Sequence, residues 1–196
     1  MRLLIADTAD LRPEHSKLIS SARAQKAARY KMEDDKKRCI LAGVMLKQFL
    51  GDAEITQNQY GKPVAKGGIC FNLSHSGSYV LLALSDFDVG CDIERVKQVQ
   101  PLRLGKTVFC KNELELLEGS ADRLSAFYSL WTRKEALIKC TGEGFYKSVK
   151  SVDVSGSFFE ENGLCYRFKT ICFSDYIISA CSAKDKMFSE LEFLKI

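Results

Sequence analysis

The stretch Phe71-Asn-Leu-Ser-His-Ser-Gly-Ser-Tyr-Val-Leu-Leu-Ala-Leu-Ser-Asp-Phe-Asp-Val-Gly-Cys-Asp-Ile-Glu-Arg-Val96 decides the fold class. Its apolar run, Tyr79 to Leu84, is too short for a typical helix and is bounded by turn residues, so it reads as a buried strand. A polar loop, Ser74-His75-Ser76-Gly77-Ser78, precedes it, and Ser85-Asp86-Phe87-Asp88 reads as a turn behind it. Val89 to Glu94 then alternates, with Val89, Cys91 and Ile93 on one side and Asp92 and Glu94 on the other. Two residues of strand separate the Asp92 and Glu94 Cα atoms by about 6.6 Å, which lets both carboxylates ligate one divalent cation. Taken alone, the pair fits the wet face of a half-exposed strand better, because Asp-x-Glu is common. The rest of the chain shifts that balance.

Upstream, Met1 to Ala6 reads as a first strand and Pro13 to about Tyr30 as a polar, Ala-rich helical stretch. Lys36 to Leu50 is a strongly apolar helix, with Ile40, Leu41, Val44, Met45 and Phe49 at helical spacing and Gly51 as its stop. Tyr60-Gly61-Lys62-Pro63 is a tight turn that presents a lysine, and Ile69 to Leu73 is a strand. Downstream, Arg95 to Pro101 is the best candidate linker, followed by two short helices broken near Cys110, with Asn112 as a candidate cap. Arg123 to Thr141 is the second strong helix, ended by Gly142. The segments Val149 to Val154, Cys165 to Phe173, Tyr176 to Cys181 and Ser189 to Leu194 alternate like antiparallel strands. Each half thus offers a long helix and about three strands. The fold class expected is α+β, with an N-terminal half over 1–96 and a C-terminal half over 97–196.

At 196 residues, 46% hydrophobic and 28% charged, the chain has the composition of a soluble globular protein. No stretch approaches the roughly 20 apolar residues of a membrane span. Leu3-Leu4-Ile5-Ala6 meets Asp7 at once, too early for a secretory leader, so a cytoplasmic location is expected. The eight cysteines show no Cys-x-x-Cys, and neither His15 nor His75 stands in a zinc-like spacing, which favours reduced, buried thiols. The net charge of +4 is unevenly spread, with seven Lys/Arg against three acids between Arg23 and Arg38. Such a run is commonly a solvated helix face; otherwise it fits an anionic small molecule or an acidic protein. Nucleic acid ranks low, because no RNA-binding signature and no interleaved aromatics accompany it.

In the second strong helix, Leu124, Phe127, Tyr128, Trp131 and Ile138 form an apolar stripe into which Glu135 falls. Carboxylates on an apolar face are rare unless paired or metal-bound. An i,i+4 pair of Glu135 with Lys139 at the stripe's edge is the plain alternative. With Asp92 and Glu94 already on one strand face, an inward Glu135 completes a strongly negative pocket. A divalent cation and a phosphate-bearing substrate, held by lysines and arginines, would balance it. The reaction class implied is phosphoryl-type transfer, in which positioning and charge stabilisation dominate.

Four motifs in order, Tyr60-Gly61-Lys62-Pro63, Phe71 to Gly77, Gly90-Cys91-Asp92-Ile93-Glu94 and Trp131-Thr132-Arg133-Lys134-Glu135-Ala136, resemble those of 4′-phosphopantetheinyl transferases of the surfactin-synthetase activator (Sfp-like) type. The resemblance runs from about Arg23 to Phe145, and Cys91 departs from the aliphatic residue usual there. It implies two similar α+β halves related by a pseudo-twofold, each a long helix on a small, mostly antiparallel sheet, with the cofactor between them. It implies transfer of the 4′-phosphopantetheine arm of coenzyme A to a serine of an apo carrier protein, acyl or peptidyl, with release of 3′,5′-ADP. Carried onto this chain, Asp92, Glu94 and Glu135 would hold Mg²⁺, with Mn²⁺ as the alternative. Glu135 would be the general base, directly or through a metal-bound water, and Lys139 would stabilise phosphate charge. Arg23, Lys26, Arg38, Lys62, Ser74, His75 and Lys139 would contact coenzyme A, and Lys134, read as outward, takes a lesser role. An acidic carrier, no nucleic acid, no membrane and a monomer complete the expectation. A nucleoside-triphosphate enzyme is disfavoured because no Walker-type loop is present, and a thiol sensor because no cysteine is singled out.

Overall fold

The two longest apolar runs owe their composition to sheets that are covered on both faces. A computed structural model describes residues 1–144, 149–184 and 188–196. Strand β1 (Arg2–Asp7) leads through two short 3₁₀ turns into α1 (Ser21–Ala28) and α2 (Glu33–Leu50). A small hairpin of β2 (Ile55–Gln57) and β3 (Pro63–Ala65) follows, then β4 (Cys70–Ser76), β5 (Tyr79–Ser85) and β6 (Val89–Arg95). The second part holds α3 (Pro101–Val108), α4 (Lys111–Gly119), α5 (Arg123–Thr141), β7 (Phe158–Glu161), β8 (Leu164–Phe173), β9 (Tyr176–Ser182) and β10 (Leu191–Leu194).

One sheet has the order β10-β1-β5-β4, antiparallel except for the parallel β1–β10 pair. The other is wholly antiparallel in the order β6-β9-β8-β7. Period-two alternation divides their side chains among three cores. Leu3, Ile5, Leu81 and Ala83 of the first sheet meet Val89, Cys91, Ile93, Ile178 and Ala180 of the second. On the outer face of the first sheet, Leu4, Ala6, Val80 and Leu82 pack on Leu41, Met45 and Leu46 of α2. On the outer face of the second, Tyr166, Ile177 and Cys181 pack on Phe127, Leu130, Leu137 and Cys140 of α5. The layers therefore run helix, sheet, sheet, helix, as the α+β expectation of one long helix per small sheet required.

Several local expectations change. Ser74 to Ser76 is not loop but the end of β4, and only Gly77 and Ser78 turn the chain. Gly77 has φ +56°, and a Cβ there would overlap the Tyr176 hydroxyl. Residues Val149–Ser151 form a 3₁₀ turn instead of a strand, and Phe158–Glu161 is a strand outside the expected segments. The cap of α4 is Cys110, whose amide donates to Glu113 Oε2 at 2.9 Å, rather than Asn112. The sheets do not follow a cut at residue 96: β6 hydrogen-bonds to β9, and β10 returns to β1. Phe145, at the end of the family resemblance, lies outside the described residues.

Candidate functional site

β4 and β6 are the facing edges of the two sheets, and alternate residues of β4 join them. Asn72 Oδ1 accepts from the Cys91 amide at 3.0 Å, Ser74 Oγ from Ile93 at 3.4 Å and Ser76 Oγ from Arg95 at 3.0 Å. The offset is 19 residues each time, so the two strands run in the same direction. The same hydroxyls donate to the acids between those amides: Ser74 to Asp92 Oδ1 at 2.7 Å, and Ser76 to Glu94 Oε2 at 2.9 Å. Ser74, expected to contact nucleotide, is buried and spends its hydroxyl on Asp92. Ser76 is not among the expected site residues, although its spacing of two from Ser74 and four from Asn72 marks it in the sequence.

Helix α5 reaches this seam because Gly90 lets it. A Cβ at Gly90 would overlap the Ala136 carbonyl oxygen and the Cys140 amide nitrogen, both backbone atoms of α5. The close approach puts Lys139 Nζ at 2.6 Å from Asp92 Oδ1, 3.2 Å from Ser74 Oγ and 3.3 Å from the Cys91 carbonyl. Burial acts to lower the Lys139 pKa, but the charge and hydrogen bond of Asp92 outweigh it and hold the ammonium above its ordinary value. Glu135, half-buried one turn earlier, is raised above the usual carboxylate range by desolvation, against Lys139 and with Asp92 and Glu94. Desolvation likewise raises Glu94, opposed by its bond from Ser76.

Asp92, Glu94 and Glu135 thus share one electrostatic neighbourhood. They are not a tight cluster: among the described residues, only Cys110, Glu113 and Asp153 bring three ligand atoms within 4.8 Å of one another. That second group is closed internally. Glu113 Oε1 accepts from the Val154 amide at 2.8 Å, and Oε2 takes the Cys110 amide and Lys134 Nζ, each at 2.9 Å. Lys134, expected to face outward, is 2% exposed and also donates to the carbonyls of Val149 and Val152. The residue before Glu135 therefore pins α5 to α4 and to the 149–154 segment.

Asp92 is where a hard cation fits. It is 4% exposed, and its Oδ2 is buried with no hydrogen-bond partner among the described residues, an arrangement that a cation would relieve. All three acids offer oxygen, the donor preferred by Mg²⁺.

The basic residues fall at the two ends of the seam. At the Ser76 end, a cleft of about 710 Å³ is lined by Arg38, His75, Arg95 and Lys97. Arg38 there donates to the Gly77 carbonyl at 2.6 Å and to Asp35 Oδ1. The His75 pKa is lowered by desolvation first and then by Arg38. At the Asn72 end, Lys62, Glu135 and Lys139 line a cavity of about 310 Å³. Lys62 Nζ is held by Asp88 Oδ1 at 3.0 Å and by the Cys140 carbonyl at 2.7 Å. Arg23 and Lys26 line an adjoining hollow of about 540 Å³, which shares Asn72 and Pro63 with that cavity.

The sequence profile of the 4′-phosphopantetheinyl transferase superfamily matches residues 88–181, a span that holds Asp92, Glu94, Glu135 and Lys139. The chain is 32% identical over 143 residues to 4′-phosphopantetheinyl transferase gsp of Aneurinibacillus migulanus, covering 68% of this chain and 60% of that protein. It is 30% identical over 148 residues to 4′-phosphopantetheinyl transferase Sfp of Bacillus subtilis (strain 168), covering 69% and 66%. To 4′-phosphopantetheinyl transferase AcpT of Salmonella typhimurium it is 40% identical over 121 residues, covering 58% and 62%. The chain therefore spans less than two thirds of the length of these relatives. On these sequence matches, and with the two acid-bearing motifs in place on β6 and α5, this chain belongs to the 4′-phosphopantetheinyl transferase superfamily.

Proposed function

We propose that the protein transfers the 4′-phosphopantetheine arm of coenzyme A to a serine hydroxyl of an apo acyl or peptidyl carrier protein, with Mg²⁺, and releases 3′,5′-ADP. The observation that carries this reading is the buried Asp92, whose Oδ1 is shared by Ser74 and Lys139 while its Oδ2 has no partner among the described residues, beside two carboxyl groups whose pKa burial raises. Asp92, Glu94 and Glu135 would hold Mg²⁺, which when bound neutralises charge on the coenzyme A pyrophosphate.

The chain's own groups do the rest. The serine oxygen attacks the β-phosphorus, the bond from that phosphorus to the bridging oxygen breaks, and 3′,5′-ADP leaves with the electron pair. Glu135 takes the serine proton, a task for which a carboxylate made more basic by burial is suited. Lys139, kept charged by Asp92, stabilises the negative charge that grows on the phosphate oxygens. Lys62, on the same cavity as Glu135, contacts the nucleotide phosphates. Arg38 and His75 on one side, and Arg23 and Lys26 on the other, offer further anion contacts. Net charge of +4 complements an acidic carrier and mainly sets its rate of approach.

The test is intact mass spectrometry of apo carriers incubated with the protein, coenzyme A and Mg²⁺. One phosphopantetheine arm should be gained, and the gain should vanish with Asp92→Ala, with Glu135→Ala or in excess EDTA. Full transfer in EDTA would remove the cation, and transfer by Asp92→Ala would remove the site.

A further inference from the structure

Ser74 and Ser76 lie between two things that must agree: the spacing of the two sheets and the aim of two acids. Strand β6 is an edge of its sheet, and its outward amides at Cys91, Ile93 and Arg95 find side chains of β4 instead of a backbone ladder. Each serine hydroxyl carries one donor and two acceptor positions. Ser74 accepts from the Ile93 amide and from Lys139, and donates to Asp92. Ser76 accepts from the Arg95 amide and donates to Glu94. In both cases the proton goes to a carboxylate oxygen, which fixes that carboxyl group relative to the strand across the seam.

We infer that Ser76, with Ser74, is a positioning residue: the hydroxyls of β4 hold the Glu94 and Asp92 carboxylates in the orientation in which they would take a divalent cation. The inference rests on the cation reading above and adds residues to it. Of the two, Ser76 is the cleaner probe. Ser74 is buried and tied to Asp92, Lys139 and the Ile93 amide together, so its removal disturbs packing and site at once. Ser76 is only partly buried, and the Arg95 amide that it accepts from lies at the exposed end of β6. Loss of its hydroxyl therefore chiefly frees Glu94.

The experiment is Mn²⁺ binding to the full chain without coenzyme A, followed by electron paramagnetic resonance, for wild type, Ser76→Ala, Ser76→Thr and Asp92→Asn, with Tm recorded for each. Partners in the outer shell of a metal site typically change affinity by roughly 10- to 100-fold when removed. Ser76→Ala should weaken Mn²⁺ binding within that range while keeping a near-native Tm, and Ser76→Thr, which restores a hydroxyl, should recover the affinity. If Ser76→Ala binds Mn²⁺ like wild type while Asp92→Asn does not, the positioning role is overturned and the cation reading stands. A drop in Tm with unchanged affinity overturns it equally, because the hydroxyl is then only structural. If wild type binds no Mn²⁺, or Asp92→Asn binds it undiminished, the cation reading fails and this inference falls with it.

Discussion

Lys134→Met removes an ammonium that is 2% exposed and leaves Glu113, fully buried, without its counter-charge. Breaking a buried ion pair from one side costs about 3–5 kcal/mol, because the remaining charge stays desolvated. The carbonyls of Val149 and Val152 lose a donor as well, which adds to the loss if water does not replace it. At roughly 2–4 °C per kcal/mol for a chain of this size, Tm should fall by about 6–20 °C. Glu113→Gln alone should also destabilise, since it strips the lysine of its anion. The double variant should be better than the sum of the two, because no unpaired charge remains. Chemical denaturation of wild type, both singles and the double closes the cycle, with a coupling of about 1–3 kcal/mol expected. A Lys134→Met protein within about 1 kcal/mol of wild type, or a cycle that closes at zero, would show that the pair does not pin α5.

Gly90→Ala places a Cβ against α5 backbone, which cannot rotate away, so overpacking should cost about 1–3 kcal/mol or more and weaken transfer by moving Glu135 and Lys139; denaturation with a parallel transfer assay checks both. Glu135 and Glu94 bind protons more tightly folded than unfolded, so their penalty is absent below the ordinary value of 4.5 and grows as pH rises through the raised one. Glu135→Gln should therefore raise Tm over wild type at pH 8 and lose that advantage near pH 4, and a pH-independent difference would contradict the desolvation. Lys62→Ala should raise the KM for coenzyme A by about 10- to 100-fold, the worth of one charge-assisted hydrogen bond, with little change in kcat; steady-state kinetics with varied coenzyme A decides it.

What the sequence makes legible follows the range of the signal. Alternation and helical spacing are local, so the strands Tyr79 to Leu84 and Val89 to Glu94 and both long helices stand nearly where expected, with Gly51 and Gly142 ending the helices at φ +62° and +71°. Partners far along the chain leave no such mark. Lys134 sits between Arg133 and Glu135 and looks like one more polar residue, because Glu113, which justifies its burial, lies on another helix. Strand β10 reads as part of the half that precedes it, because nothing in Leu191–Leu194 announces a parallel return to β1. Ser74 and Ser76 read as loop for a related reason: polar residues ahead of a glycine suggest a turn, whereas here they are the donors of an edge strand that faces another edge.

The place of Ser74 and Ser76 on an edge strand bears on why the acids sit where they do. A sheet edge presents unpaired amides and must be covered. Here the cover is a row of short polar side chains, which need a polar second partner on the far side, and Asp92 and Glu94 supply it. Acids on either face of a sandwich core would be stranded among Leu, Ile and Val. At the seam they meet hydroxyls from β4 and, because Gly90 admits α5, the ammonium of Lys139 from the other side. The seam thus lets carboxylates be drawn out of water and still be held from both sheets and a helix. The same requirement explains why the motif glycine and the motif acids come two residues apart on one strand.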